Sequence, residues 1–184
     1  MGLLITMDYG NYTNKNAVEN VIRYASRTRA NEDRFSELVS FGGMGVTMLS
    51  GVEDIIAQFL YVQNVYNIET RQGKRIYHEV FSLDEREAFN IKYDMTILDA
   101  VAKECCKVYY SAGFQVVYAI HYDPGKKYHI HFIVNSINYR TGLKWHTNFR
   151  SNHERWKIFQ TTLIRAMCIE CPIELTGKQP VYFI

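Results

Sequence analysis

Apolar residues recur at helical intervals in four separate stretches of the chain. In the first stretch, Val18, Val21, Ile22 and Ala25 lie three or four residues apart, the spacing of one helix face. The same periodicity predicts helices over residues 14–27, 52–66, 91–110 and 152–167. Four glycines between residues 40 and 51 predict a loop there.

Strands are predicted where β-branched and aromatic residues are concentrated. These stretches cover residues 75–82, 115–121 and 128–137, with a short edge strand over 181–184. Pro124-Gly125 marks a turn between the second and third stretches, which therefore form a β-hairpin. We predict an α+β fold in which two or three helices pack on one face of an antiparallel β-sheet. Because the chain shows neither a repeat nor a linker, residues 1–184 are expected to form a single domain.

The composition narrows the class of protein. Of the 184 residues, 47% are hydrophobic and 22% are charged, which excludes a disordered tail and a small disulfide scaffold. The purely apolar runs are too short to span a bilayer, and Asp8 interrupts the apolar start where a secretory signal would continue. We therefore expect a soluble, intracellular protein with no membrane partner.

The charge is distributed unevenly along the chain. Although the formal net charge is +2, residues 121–160 hold seven Lys or Arg against Asp123 and Glu154, which gives +5, and the rest of the chain carries −3. Such a basic segment is what a surface for a polyanion needs, and an ordinary solvated face is the alternative. The candidate phosphate contacts in it are Lys126, Lys127, Arg140, Lys144 and Arg150.

Four cysteines could indicate a metal or redox site. Cys168-x-x-Cys171 has the spacing of half a zinc site, but Cys105 and Cys106 are adjacent and do not complete it. Buried, chemically inert thiols are the favoured interpretation.

Three histidines of the predicted hairpin are placed to converge. His129 and His131 project from the same side of their strand, because side chains alternate between the two faces of a sheet. His121 ends the partner strand beside the turn, so an in-register hairpin places it across from them. Three neutral imidazoles hold a divalent metal and leave coordination positions open, as a catalytic metal needs. Asp123 could orient one of these imidazoles through its free ring N–H, or it could be a simple turn residue.

These residues carry a resemblance to a known family. His121-x-Asp123, followed by His129-Ile130-His131-Phe132-Ile133-Val134-Asn135, resembles the third motif of conjugative relaxases, the mobilisation nucleases of the HUH superfamily, and the MOBP group in particular. The helix with Val21-Ile22-Arg23-Tyr24 resembles their first motif, and Tyr77-His78-Glu79-Val80-Phe81-Ser82 resembles the second. Pro124-Gly125-Lys126-Lys127 departs from the more acidic turn of the family, which leaves the role of Asp123 open.

The resemblance implies a fold, an activity and the residues that perform it. It implies an HUH-type sheet that nicks and rejoins one DNA strand at a transfer origin, with Mg²⁺ or Mn²⁺ on His121, His129 and His131. Tyr24 would be the nucleophile that forms a 5′-phosphotyrosine, with Tyr9 and Tyr12 as the next candidates. Asp123 and Glu79 would be further catalytic residues. Ser82 and Asn135 would join the basic residues in contacting DNA.

The resemblance also implies a setting for the activity. The substrate would be single-stranded or supercoiled DNA at a transfer origin in the bacterial cytoplasm, handled together with accessory and coupling proteins. Relaxases commonly continue into a C-terminal region, so this domain could be the N-terminal part of a longer protein.

Three other functions are compatible with parts of the sequence. A rolling-circle replication initiator shares the histidines but places its tyrosine after them, where Tyr139 lacks the lysine four residues later. A single-strand-binding module would use the basic segment without catalysis. A metal-dependent hydrolase of small substrates leaves the basic, aromatic segment unexplained. The N-terminal position of Tyr24 favours the relaxase over the initiator.

Overall fold

A computed structural model describes residues 2–7, 12–28, 37–49, 51–91, 95–122, 128–146 and 148–170. Its core is a five-stranded sheet with antiparallel pairing throughout, in the strand order β1-β3-β5-β4-β2. The strands are β1 (Leu3–Thr6), β2 (Glu37–Met44), β3 (Ile76–Ser82), β4 (Val116–Tyr122) and β5 (Tyr128–Asn135). The helices are α1 (Ala17–Ala25), α2 (Val52–Val65), α3 (Glu85–Ile91), α4 (Met95–Ser111) and α5 (Phe149–Glu170). A 3₁₀ turn spans Ile68–Thr70.

The antiparallel α+β class is confirmed, but the helices cover both faces of the sheet rather than one. On one face, Tyr118, Ile130 and Phe132 form a core with α4 and α5. On the other face, α1 and α2 pack against the ends of the central strands, where Val117 and Ile133 are buried. The second face also carries the histidines, and we call it the histidine face. Each central strand therefore buries side chains on both of its sides.

The first part of the glycine-rich stretch, up to Met44, belongs to strand β2 instead of the predicted loop, whereas the described residues from Gly45 to Gly51 are in neither a helix nor a strand. Gly42 lies opposite Tyr118 of β4, and the Tyr118 ring crosses over the β2 backbone. A Cβ added at Gly42 would lie 2.5 Å from Tyr118 Oη, and one at Gly43 would lie 2.7 Å from the carbonyl oxygen of Val116. Gly42 thus provides room for a tyrosine whose hydroxyl donates to Asp99 at 2.6 Å, and Gly43 allows β4 to approach closely. Local sequence could not reveal this, because the tyrosine belongs to another strand.

Helix α4 ends just before Gly113, whose φ of +92° is the left-handed conformation in which many helices end. The edge strand predicted over 181–184 lies outside the described residues.

The thiols of Cys105 and Cys106 are buried in the α4–α5 core, and burial raises the pKa of both. The side chains of Cys168 and Cys171 lie outside the part of the chain that the structure describes.

We expect Gly42→Ala to destabilise the fold by about 1–3 kcal/mol, because the new methyl group overlaps the Tyr118 ring. Urea unfolding followed by circular dichroism measures the change. In a Tyr118→Ala background the overlap is removed, so the same substitution should cost much less. Equal costs in the two backgrounds would contradict a clash with Tyr118.

Candidate active site

The register of the central hairpin brings three histidines together. In the pairing of β4 with β5, His121 lies opposite His129, and Ala119 lies opposite His131. The ring centroids of His121 and His131 are 4.4 Å apart, and those of His129 and His131 are 4.8 Å apart. One nitrogen from each ring can be chosen so that the three lie within 4.8 Å of one another. The convergence predicted from the sequence is confirmed, and we call these residues the histidine cluster.

The histidine cluster has the properties of a metal-binding site. His121 and His131 are buried, and His129 is partly exposed, so one side of the cluster is open to solvent. Burial, reinforced by the neighbouring histidines and Arg27, lowers the pKa of His131 well below its usual range, so this imidazole is neutral at pH 7. Within the described structure, its Nε2 atom is buried and makes no hydrogen bond. A neutral imidazole with a free lone pair is the form that binds a divalent cation.

Tyr24 lies against the histidine cluster, as the first motif implied. It is half-buried in the last turn of α1. Its ring centroid is 5.7 Å from that of His131 and 6.4 Å from that of His121. The buried face of α1, formed by Val18, Ile22 and Ala25, packs on the sheet and thereby directs the helix end toward the cluster.

A hydrogen bond from the sheet to the end of α1 fixes this arrangement. His121 Nε2 donates to the carbonyl oxygen of Ala25 at 2.7 Å, which satisfies one of the carbonyls that a helix end leaves unpaired. The lone pair of His121 is then on Nδ1, which accepts from Arg27 Nη2 at 3.1 Å. The Arg27 guanidinium also lies 5.0 Å from the centre of the Tyr24 ring. A positive charge is therefore held between the tyrosine and the histidines.

A fourth histidine, His78, joins the cluster from strand β3. Its Nε2 atom is 2.7 Å from His131 Nδ1, and its Nδ1 atom is 3.2 Å from the hydroxyl oxygen of Tyr12. Burial and the neighbouring histidines lower the pKa of His78 to about 4, so it too is neutral at pH 7. The sequence motifs assigned His78 no role. Strand alternation could have found it, because His78 is four residues from Ser82 and so shares its face.

Ser82 and Glu79 lie on opposite faces of β3. Ser82 pairs with His129 in the register and is half-buried on the histidine face, beside the cluster. Glu79 points into the α4–α5 core, where Arg155 forms a buried ion pair with it and Tyr109 Oη donates to it at 2.6 Å. The structure does not bring Glu79 to the histidines, so the expected catalytic role is corrected to one in the core. Because Arg155 is buried in this ion pair with Glu79, it is not part of the basic surface predicted for residues 121–160.

Asn135 is also an interior residue instead of the expected DNA contact. It is fully buried at the end of β5. Its amide nitrogen donates to the carbonyl oxygen of Phe59 at 3.1 Å and to Gln115 Oε1 at 2.8 Å, and its oxygen accepts from Gln63 at 2.9 Å. These bonds tie α2 to the sheet and leave the side chain no access to a ligand.

The structure places some of the predicted basic contacts and leaves others undescribed. Asp123, Lys126 and Lys127, with the alternative nucleophile Tyr9, lie outside the described residues. Arg140 is exposed and donates to the Tyr139 hydroxyl, whose ring stacks on Tyr110. Arg150 is exposed at the start of α5 and pairs with Glu154 at 3.2 Å.

Lys144 belongs to a cluster of positive charges that its own segment does not reveal. Burial and the charges of Arg71 and Arg75 lower its pKa. Lys74, from the same loop, lies 5.5 Å from the ring centre of Tyr12, whose hydroxyl contacts His78. We call Arg71, Lys74, Arg75 and Lys144 the basic patch. Glu69 pairs with Arg75, so the five residues together carry +3.

Comparison with known proteins agrees with this geometry. A search of curated proteins finds no relative of the chain. None of the helices in the described parts of the chain is long and apolar enough to cross a membrane. The family model "Relaxase: MobA/VirD2-like, nuclease domain" matches residues 24–168, a span that begins at Tyr24 and includes all three histidines of the cluster. The chain therefore belongs to the relaxase family, as a nuclease domain of the MobA/VirD2-like type.

Proposed function

We propose that this domain nicks and rejoins one strand of DNA at a transfer origin during conjugation or mobilisation. The observation that supports this most directly is the position of Tyr24. Its ring centroid lies 5.7–6.4 Å from the ring centroids of His78, His121 and His131, all on one sheet face. A tyrosine beside imidazoles that can bind a metal is placed to attack a phosphodiester and to become covalently linked to the phosphate. Hydrolysis of a small substrate would require no such residue.

Tyr24 would act as the nucleophile of a transesterification. Its hydroxyl oxygen attacks the scissile phosphorus, the new oxygen–phosphorus bond forms, and the bond to the 3′ oxygen breaks. The 3′ oxygen leaves as a hydroxyl after gaining a proton, and the phenol loses one. Because one phosphodiester replaces another, the 3′ hydroxyl can reverse the reaction and rejoin the strand without ATP. A phenol suits this role, since it ionises more readily than an aliphatic hydroxyl.

His121, His129 and His131 would hold the divalent metal, Mg²⁺ or Mn²⁺. When bound, such an ion stabilises negative charge on the phosphate oxygens of the transition state. The chain's own contribution is to fix the three imidazoles on rigid, paired strands and to hold Tyr24 across from them. Arg27, which here donates to His121 Nδ1 and lies over the Tyr24 ring, would turn from that nitrogen to the phosphate as a second positive group. The Nδ1 lone pair of His121 would then be available to the metal. Asp123, two residues after His121 in the sequence, remains our candidate for orienting a histidine.

The unpaired DNA strand would run from the histidine cluster to the basic patch. Tyr12 connects the two regions, since its hydroxyl contacts His78 and its ring faces Lys74. The like charges of Arg71, Arg75 and Lys144 lie close enough to affect one another, and phosphates would relieve their repulsion. Ser82 beside His129, with Arg140, Lys126 and Lys127, would supply further contacts.

Tyr24→Phe should lower the yield of the covalent protein–DNA adduct by at least about a thousandfold. DNA binding should be preserved, because the substitution removes only the attacking oxygen. The adduct is detected as a shifted band after incubation with Mn²⁺ and overlapping single-stranded oligonucleotides that cover both strands of the DNA flanking the coding sequence.

Tyr139→Phe is the matched control, since it removes the same atom from the tyrosine expected of a replication initiator. It should form the adduct normally. Loss of the adduct in Tyr139→Phe, with retention in Tyr24→Phe, would instead support the initiator. A wild-type protein that binds the oligonucleotides but forms no adduct would support a non-catalytic binding module.

His129→Ala should abolish cleavage and weaken Mn²⁺ binding by at least about tenfold, because the site loses a ligand. Binding of single-stranded DNA without metal should stay near the wild-type value. Isothermal titration calorimetry measures the metal, and His153→Ala on the exposed part of α5 serves as the control. Wild-type cleavage by His129→Ala would contradict the assignment of this ligand.

The double variant Arg71→Gln with Lys144→Gln should weaken binding of an unpaired oligonucleotide and flatten its salt dependence. The slope of log K against log salt should fall by about 0.7 for each phosphate that the variant no longer neutralises. Glutamine keeps a donor for the carbonyl groups to which Arg71 and Lys144 donate. Lys103→Gln with Lys107→Gln removes the same charge from α4, and its slope should equal that of the wild type. Equal slopes for both double variants would place the DNA away from the basic patch.

A further inference from the structure

The buried side chain of His78 contacts a histidine of the cluster instead of solvent. It is 4% exposed, and its ring centroid lies 4.9 Å from that of His131. One of the two facing nitrogens, 2.7 Å apart, must donate and the other must accept. The opposite nitrogen of His78 meets the hydroxyl of Tyr12, which is also buried. The three side chains form one hydrogen-bonded row that ends at His131.

The direction of the protons in this row follows from the free nitrogen of His131. Its Nε2 atom is buried and unpartnered in the described structure, and a buried nitrogen in that position is costly unless something binds it. If Nε2 holds the lone pair for a metal, the proton is on Nδ1 and is donated to His78 Nε2. His78 then carries its own proton on Nδ1 and donates it to the Tyr12 oxygen.

We propose that His78, supported by Tyr12, is a positioning residue that fixes the tautomer and ring orientation of His131 for metal binding. This inference rests on the proposed function of the histidine cluster as a metal site. Outer partners of ligating histidines have this effect in metalloproteins, where their loss costs about 10–100-fold in metal affinity. Here the partner is a histidine on a neighbouring strand, so the sheet itself sets its distance.

A neutral partner has a consequence for the charge of the site. A carboxylate in this position would offset part of the positive charge that the metal presents to a phosphate, whereas a neutral imidazole does not. The nearest carboxylate in the sequence is Glu79, and it faces the other side of the sheet, where Arg155 pairs with it. Strand alternation therefore gives the histidine face the neutral residue and the core the charged one.

The experiment compares Mn²⁺ affinity, by isothermal titration calorimetry, among the wild type, His78→Leu and His78→Gln. Leucine keeps apolar bulk but cannot accept a hydrogen bond, so affinity should fall by about 10–100-fold. Glutamine places an amide oxygen where His78 Nε2 lies and should restore most of the loss. Thermal unfolding without metal monitors the packing, and His153→Leu controls for loss of a histidine at the surface.

Each outcome decides the proposal. Wild-type affinity in His78→Leu, or affinity as weak in His78→Gln as in His78→Leu, would overturn the positioning role while leaving the metal site intact. A wild-type protein that binds no Mn²⁺ would overturn the metal site itself and this inference with it. If His78→Leu does not fold, His78→Asn replaces it, because its shorter amide does not reach His131 and the same loss is expected.

Discussion

The site depends on the register in which strands β4 and β5 pair. Because His121 lies directly opposite His129, and His131 is two residues further along β5, the three imidazoles lie close together on one face of the sheet. If either strand shifted by one residue, its histidines would point to the opposite face, where Ile130 and Phe132 now pack on α4 and α5. The cores on both faces thus hold the register, and with it the candidate metal site.

Helix α1 brings Tyr24, the nucleophile that we propose, to the histidines by a second fixed connection. The hydrogen bond from His121 to the Ala25 carbonyl links a histidine of the cluster to the end of the helix that bears Tyr24. Tyr24 and the histidines are therefore placed relative to each other by paired backbone and buried packing. Such rigidity is what an in-line attack requires, since reacting atoms gain most from being held in place before the reaction.

The features that the sequence predicted are those governed by short-range periodicity. Alternation along the hairpin placed the three histidines on one face, and helical spacing placed Tyr24 near the sheet. The same alternation, applied to β3, would have separated Glu79 from Ser82 and identified His78. The motif resemblance takes no account of strand faces, which is why it assigns Glu79 to the site although this residue faces the core.

Other features depend on residues far apart in the chain and could not be predicted locally. Gly42 lies in a strand where the Tyr118 ring occupies the space that a Cβ would take, and at Gly43 that space is taken by the backbone of β4. Asn135 is in the interior because α2 supplies partners for its amide. The basic patch joins Lys144 to a loop some seventy residues earlier in the chain, between Arg71 and Arg75. In each case the partner comes from a separate element, and only the folded chain brings the two together.

The most direct test of the account locates the bond between protein and DNA. The wild-type protein is incubated with Mn²⁺ and the flanking-DNA oligonucleotides, the DNA is trimmed with nuclease, and the modified peptide is sequenced by mass spectrometry. Of the 14 tyrosines in the chain, we predict that Tyr24 alone carries the remaining 5′-phosphoryl nucleotide. A nucleotide on Tyr9, Tyr139 or any other tyrosine would contradict the placement of the nucleophile at the end of α1.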